Sequence, residues 1–272
     1  MNNFFNGKTV VVTGASSGIG KACALELARR GANIVLAARN AEELEKVAAQ
    51  VSSRSKAVSV VTDVAREEDC RSLIENAAKH FGKINVLINN AGISMRALFD
   101  EVDINVLKQV MEINFWGTVY CTRYAIPYLL ASKGSLVGMS STAGKVGLPG
   151  RTAYSASKFA MEGLLQSIRT ENLHKGLHVL VACPGFTASD IRNRALNKDG
   201  KAQGDSPRDE AKMMQPEEVA KRIADAIIKR RRDLILTTEG KTTLLLSKFF
   251  PKLLDKLVFN HMSKETDSPF KK

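Results

Sequence analysis

Tyr154 and Lys158 stand four positions apart in the segment Tyr154-Ser155-Ala156-Ser157-Lys158. On a helix that spacing puts both side chains on one face. An unperturbed phenol loses its proton near pH ~10, and a neighbouring ammonium favours the phenolate, so the pair could exchange protons with a ligand near neutral pH. Taken alone, Tyr-x3-Lys is more often a plain helix surface. A second pattern lies near the N-terminus, where Thr13-Gly14-Ala15-Ser16-Ser17-Gly18-Ile19-Gly20 follows a β-branched run and leads into a helical stretch. Glycines at such a junction allow a tight turn and a close backbone approach to a pyrophosphate. The helix start adds N–H groups and the positive end of a dipole. The spacing is G-x3-G-x-G rather than the general G-x-G-x-x-G fingerprint, and Gly14, Ser16, Ser17, Gly18, Ile19 and Gly20 are the candidate phosphate-binding residues.

These residues need a scaffold, and the chain alternates short β-branched runs with helical stretches. The expected strands are Lys8 to Thr13, Asn33 to Ala37, Ala57 to Val61, Ile84 to Ile88, Ser135 to Met139, Leu177 to Ala182 and Asp233 to Thr237. Helical patterns lie between them, for example Ile19 to Arg30, Arg66 to His80 and Glu217 to Lys229. Continuous apolar strands separated by helices predict an α/β fold: a Rossmann-like, doubly wound parallel sheet of about seven strands with helices on both faces. Ligands of such sheets bind at the carboxyl ends of the strands. Residues 1–240 read as one dinucleotide-binding catalytic domain and 241–272 as a basic amphipathic extension. The polar stretch Asp190 to Gln215, with Gly200, Gly204 and Pro207, reads as a mobile loop over the substrate.

The strand ends refine the ligand. An NAD site places a carboxylate at the end of the second strand to hold the ribose 2′-hydroxyl. Here the sequence is Leu36-Ala37-Ala38-Arg39-Asn40, with no carboxylate and a guanidinium that suits a 2′-phosphate. The expected cofactor is therefore NADP(H), with Arg39 and Asn40 at its adenosine end. Asp63 and Val64 follow the third strand, where a side chain could meet adenine. Asn90, Ala91 and Gly92 follow the fourth, where small residues let the backbone approach the cofactor.

TGASSGIG, NNAG, Asn114 in MEINFWG, Ser141, the Tyr154–Lys158 motif and Pro184-Gly185 occur in the order found in the short-chain dehydrogenase/reductases, and over roughly residues 6–240 the chain resembles the compact branch of that family. The resemblance implies an oxidoreductase in which hydride passes between nicotinamide and a carbinol carbon while Tyr154 moves the proton. It implies that Lys158 holds the nicotinamide ribose. Ser141, rather than Ser140, would polarise the substrate carbonyl. Asn114 would hold a water in a proton relay. Pro184, Gly185, Thr187 and Ser189 would line the nicotinamide end; relatives usually carry Thr where this chain has Ser189, and Thr187 is the other candidate for the carboxamide contact. No metal site is expected.

The substrate is less sharply written. The net charge is +12, and much of it lies after residue 200, away from these motifs. No basic stripe with interleaved aromatics suggests nucleic acid. Cys23, Cys70, Cys121 and Cys183 lie far apart and read as buried thiols in a reducing compartment. No signal peptide is expected, and the expected location is cytoplasmic, with a peripheral contact at the membrane surface. That contact would come from the tail, where Leu246, Phe249, Phe250, Leu253, Leu254, Leu257 and Val258 recur at helical spacing opposite Lys248, Lys252 and Lys256. The same helix could instead cover the pocket or a neighbouring subunit; a homodimer or homotetramer is expected. The loops around the pocket offer mainly Leu, Met, Val and Ala, which suggests a hydrophobic carbonyl such as 3-ketosphinganine, a steroid or a similar ketone. The alternatives are a 3-oxoacyl-[acyl-carrier-protein] reductase of fatty-acid synthesis and, from another class, a non-catalytic NADP(H)-sensing regulator.

Overall fold

The computed structural model describes residues 3–188, 191–204, 213–264 and 268–270. Seven strands form one parallel sheet: β1 Thr9–Thr13, β2 Asn33–Ala38, β3 Ala57–Val61, β4 Val86–Asn89, β5 Ser135–Met139, β6 His178–Cys183 and β7 Asp233–Ile235. Their order across the sheet is β3-β2-β1-β4-β5-β6-β7, and every pairing is parallel. The direction of winding reverses between β1 and β4. That is the place where a doubly wound sheet opens a crevice at its carboxyl edge.

Alternation along the strands feeds two cores. Val10, Val12, Ile34 and Leu36 point to one face, where helices α1 (Gly18–Arg29), α2 (Ala41–Ser52) and α7 (Pro216–Ile228) cover them with Leu27, Leu44 and Ile223. Val11, Val35 and Ala37 point to the other face, under α3 (Glu67–Phe81), α5 (Gly117–Ala131) and α6 (Thr152–Glu171). Because both faces are buried, the strands read as unbroken apolar runs. A third, smaller cluster joins Met95 and Ala97 to α4 (Ile104–Met111) and to Ala153 beside the substrate region. All four cysteines are buried.

The strands and the helices read from the sequence match to within one residue at each end except at three places, each with a local reason. The fourth strand begins at Val86 instead of Ile84, because Asn85 spends its side-chain oxygen on the Thr9 amide at 2.9 Å and its carbonyl on Ser135. The seventh ends at Ile235 because Thr237 caps the next helix, its hydroxyl accepting from the Gly240 amide at 3.1 Å. The tail is two helices, α8 Thr238–Phe249 and α9 Pro251–Ser263. Phe250 at φ −136°, ψ 58° breaks the run, and Pro251 starts the second helix. The single apolar stripe expected along the tail is therefore cut in two.

The expected mobile loop is only partly within the described residues. Its 191–204 portion is docked: Leu196 pairs with Ser94 and Arg96 through backbone bonds of 2.9 and 2.8 Å, and Lys198 accepts from the Asp103 amide. Arg192 and Ala195 are buried there. No helix of the described chain is long and apolar enough to cross a membrane.

Candidate active site

The crevice at the sheet reversal is built from two touching turns. Gly14 has φ +65°, and a Cβ on it would lie 2.9 Å from the Ala91 Cα, so both its conformation and its surroundings require glycine. The hydroxyl of Thr13 accepts from the Asn90 and Ala91 amides at 3.0 Å each. Asn90 returns its side-chain amide to the carbonyls of Thr13 and Gly14 at 2.9 and 3.2 Å. Ser17 is the N-cap position of α1 and makes no side-chain capping bond, which leaves first-turn N–H groups directed at the crevice.

A cavity of about 290 Å³ opens there. Gly14, Ser16, Ser17, Gly18 and Ile19 line it on the α1 side, and Asn90, Ala91 and Gly92 on the β4 side. Arg39, Asn40, Asp63 and Val64 close the end under β2 and β3. Gly20 lies behind this wall, where a Cβ would reach within 2.5 Å of the Asn90 side chain. Asn40 is already committed as the cap of α2, accepting from the Glu43 amide at 3.0 Å. Asp63 likewise accepts from the Ala65 amide at 3.1 Å. Arg39 is exposed at the cavity rim and makes no ion pair among the described residues. Thr62, Ile113, Ile191 and Arg194 also line the cavity. Thr62 adjoins Asp63 after β3, Ile113 precedes Asn114, and Ile191 and Arg194 belong to the stretch read as a loop over the substrate.

A dinucleotide fits this set: glycines where a Cβ would obstruct the backbone, a helix start for the phosphates and a guanidinium at the adenosine end. At the other end, Gly185 (φ +77°) packs on Thr237, while the Thr187 carbonyl accepts from Arg192 at 2.9 Å. Pro184, Gly185 and Thr187 do not line the cavity, and Ser189 lies outside the described residues.

Tyr154 and Lys158 share the inner face of α6. Tyr154 is half-buried and hydrogen-bonds Ser141. Ser141 is held extended at the end of β5 as the cap of a short turn, Thr142–Gly144, its hydroxyl accepting from the Ala143 amide at 3.2 Å. The Lys158 ammonium lies 5.7 Å from the Tyr154 ring centre and donates to the Met139 carbonyl at 2.8 Å. Burial lowers Lys158 to about 8.

For Tyr154 the sign differs from the sequence expectation. Its pKa is raised, because desolvation of the phenol outweighs the hydrogen bond from Ser141 and the nearby Arg151 and Arg192 charges that favour the phenolate. Arg151 is the N-terminal cap position of α6, three residues before Tyr154, whereas Arg192 reaches it from the segment after β6. They also make the substrate wall less apolar than the sequence suggested: Arg151 donates to Ser94 at 3.0 Å.

Asn114 sits in a π turn, Glu112–Trp116, and is fully buried. Its side chain accepts from the Ile93 amide at 2.8 Å and donates to the Ile93 carbonyl and the Ser157 hydroxyl, both at 2.9 Å. Both side-chain N–H donors are thus engaged by protein, so Asn114 straps the loop after β4 to α6. Any water it holds must use the remaining lone pair of Oδ1 or its backbone.

Sequence reading also missed Glu162, buried on the same face of α6 and bonded to Ser140 and Lys145. Its signal was available, at i+4 from Lys158.

Replacing Asn114 by Leu would keep the volume and strand the bonded groups of Ile93 and Ser157. Unsatisfied buried groups cost about 1–3 kcal/mol each, so urea denaturation should show a loss of roughly 2–5 kcal/mol. Unchanged stability would show that the strap is dispensable.

The short chain dehydrogenase family model matches residues 8–200. The 11-beta-hydroxysteroid dehydrogenase A of Arachis hypogaea is 38% identical over 92% of this chain and 74% of its own length. The 11-beta-hydroxysteroid dehydrogenase 1A of Arabidopsis thaliana is 41% identical over 68% of this chain, which spans only 54% of that relative. A crystal structure of a short chain dehydrogenase/reductase from Burkholderia phymatum in complex with NAD superposes with a TM-score of 0.81 at 26% identity, covering 92% of this chain and 95% of that one. With a catalytic-type face on α6, a glycine-built crevice at the sheet reversal and a family match over most of its length, this chain belongs to the short-chain dehydrogenase/reductase family.

Proposed function

We propose that this chain is an NADP(H)-dependent oxidoreductase that interconverts a ketone and a secondary alcohol on a hydrophobic, steroid-type substrate. The observation that carries the reaction is the Ser141–Tyr154 hydrogen bond with the Lys158 ammonium one helical turn away. Bound in the crevice, the nicotinamide would supply or accept the hydride. Ser141 orients the substrate oxygen and stabilises charge that develops on it. The phenol of Tyr154 is kept protonated by burial at neutral pH, which makes it a proton donor ready for carbonyl reduction. Lys158, still mostly charged below about 8, holds the ribose and offsets negative charge left on the phenol.

The choice of NADP(H) rests on Ala38-Arg39 at the end of β2, where no carboxylate is present to hold a free 2′-hydroxyl. The solved relative from Burkholderia is described with NAD; the discriminating residue is local, so the cofactor of one relative does not transfer. The steroid-type substrate is supported by the names of the plant relatives, 11-beta-hydroxysteroid dehydrogenases, and by the apolar cluster around Met95, Val106 and Val110 beside Tyr154. A homodimer or homotetramer is the assembly proposed.

A peripheral membrane contact belongs to the same reading. Six of the twelve exposed large hydrophobic side chains among the described residues lie in the tail: Leu245, Phe249, Phe250, Leu253, Leu257 and Phe259. Lys248, Lys252 and Lys256 accompany them, as in helices that lie in a headgroup layer.

Purified protein should reduce steroid ketones or ketolipids faster than 3-oxoacyl thioesters, and with NADPH at least about tenfold better than NADH in kcat/KM, the scale of one good charge contact. Replacing Ala38 by Asp and Arg39 by Leu should reverse that preference. A wild type that prefers NADH contradicts the reading of β2, a preference for acyl thioesters overturns the substrate, and cofactor binding without any turnover favours a regulator.

The full chain should sediment with anionic vesicles, less so in high salt. Phe249→Glu combined with Leu253→Glu should abolish that sedimentation. Full-length protein that ignores such vesicles would assign the tail to a pocket or subunit cover instead.

A further inference from the structure

Behind Ser141 and Lys158 lies a buried polar cluster for which the reaction described above has no use. Its centre is Glu162, 3% exposed, on the same face of α6 as Tyr154 and Lys158. The Oε1 atom accepts from the Ser140 hydroxyl at 2.6 Å, and the Oε2 atom is paired with the Lys145 ammonium. Ser140 directly follows β5 and precedes Ser141, and its amide donates to the Ala182 carbonyl of β6 at 2.7 Å. Lys145 is the residue that ends the turn Ser141 begins. One carboxylate therefore grips both flanks of the short loop that presents Ser141. There is no slack in the arrangement: a Cβ on Gly144 would lie 2.7 Å from Glu162 Oε1 and 3.1 Å from the Lys158 Cβ.

We propose that Glu162 is a positioning residue, whose single buried carboxylate fixes the Ser141 loop and supplies the counter-charge that keeps the Lys158 ammonium in a dry interior. The proposal rests on the reading of Ser141, Tyr154 and Lys158 as the reacting cluster.

The charges that face this cluster support the assignment. Lys158 meets Cys183 from β6 and Glu162 from its own helix. Burial pushes the Cys183 thiol up to about 12, so it is neutral in the working range and Glu162 is the anion that counts. On the far side of the carboxylate, burial pulls Lys145 down, but its bond to Glu162, with Asp233 of β7 nearby, holds it above its ordinary value. Arg169, about two turns further along α6, also lies within the field of Glu162. Of the carboxylates named, Glu162 is the one bonded to both flanks of the loop that carries Ser141.

The test compares wild type with Glu162→Gln, Glu162→Asp and Ser140→Ala. NADPH binding is followed by its fluorescence from about pH 6 to about pH 10, the span across which a lowered lysine titrates, and kcat is measured on the ketone that the wild type reduces best. Removing an anion makes the neighbouring ammonium give up its proton sooner. In Glu162→Gln the high-pH loss of NADPH affinity should therefore move to lower pH by about one unit, with kcat down at least about tenfold. Glu162→Asp keeps the charge on a shorter arm, so the pH limb should stay while kcat falls. Ser140→Ala should lower kcat and leave the limb in place. A purely structural carboxylate would change the melting temperature alone. Folded Glu162→Gln with the wild-type limb and kcat overturns the proposal. Should that variant fail to fold, wild-type kcat in both Ser140→Ala and Glu162→Asp overturns it equally. A wild type that binds neither NADPH nor NADH removes the reading beneath the proposal, and the proposal with it. An active wild type beside a silent Glu162→Gln removes the proposal alone.

Discussion

The turns that end β1 and β4 approach so closely that a side chain at Gly14 would meet the Ala91 backbone at 2.9 Å. That contact is held by one hydroxyl, Thr13, which receives the amides of both Asn90 and Ala91. From this junction the crevice takes its floor, α1 its starting point and the loop after β4 its course toward Asn114. Asn114 then fastens that loop to α6 through Ile93 and Ser157. The nucleotide crevice and the Tyr154–Lys158 face are thus two ends of one hydrogen-bonded path across the carboxyl edge of the sheet. A shift at the glycine turn would be felt at the reacting groups.

Burial governs the chemistry at the far end of that path. It raises the phenol of Tyr154 and lowers the ammonium of Lys158, so desolvation drives both groups toward their neutral forms. Neighbouring charges restrain the drift: Arg151 and Arg192 favour the phenolate, and Glu162 favours the ammonium. The result at neutral pH is a protonated tyrosine beside a mostly charged lysine, a state suited to giving a proton to a reduced carbonyl. Oxidation of the alcohol needs the phenolate and should gain as pH rises, until Lys158 loses its own charge.

What could be read from the sequence was whatever is local. Gly14 to Gly20, Asn90 to Gly92 and Tyr154 to Lys158 carry their chemistry within one turn of chain. The apolar runs show their burial directly, so the parallel sheet, its strand count and the crevice at its carboxyl edge were legible. Features set by distant partners were not. Arg192 reaches Tyr154 from the segment after β6, and the grip of Glu162 on Ser140 and Lys145 joins α6 to the end of β5. In the tail, helical periodicity persists through Phe250, so the sequence left Pro251 open as a helix start or a kink; the backbone leaves the helix at Phe250 and Pro251 starts a second one. The periodicity of a sequence records which face is apolar but says little about a bend between two short helices.

The central claim is that the Tyr154 phenol moves the proton while the crevice and Lys158 hold the cofactor. Tyr154→Phe removes one hydroxyl and nothing else, so NADPH titration and steady-state turnover on this variant separate the two functions. The account predicts NADPH affinity within about twofold of wild type and turnover lower by about 10²–10⁴-fold, the usual contribution of a positioned acid or base. Near-normal turnover in the Phe variant would contradict it.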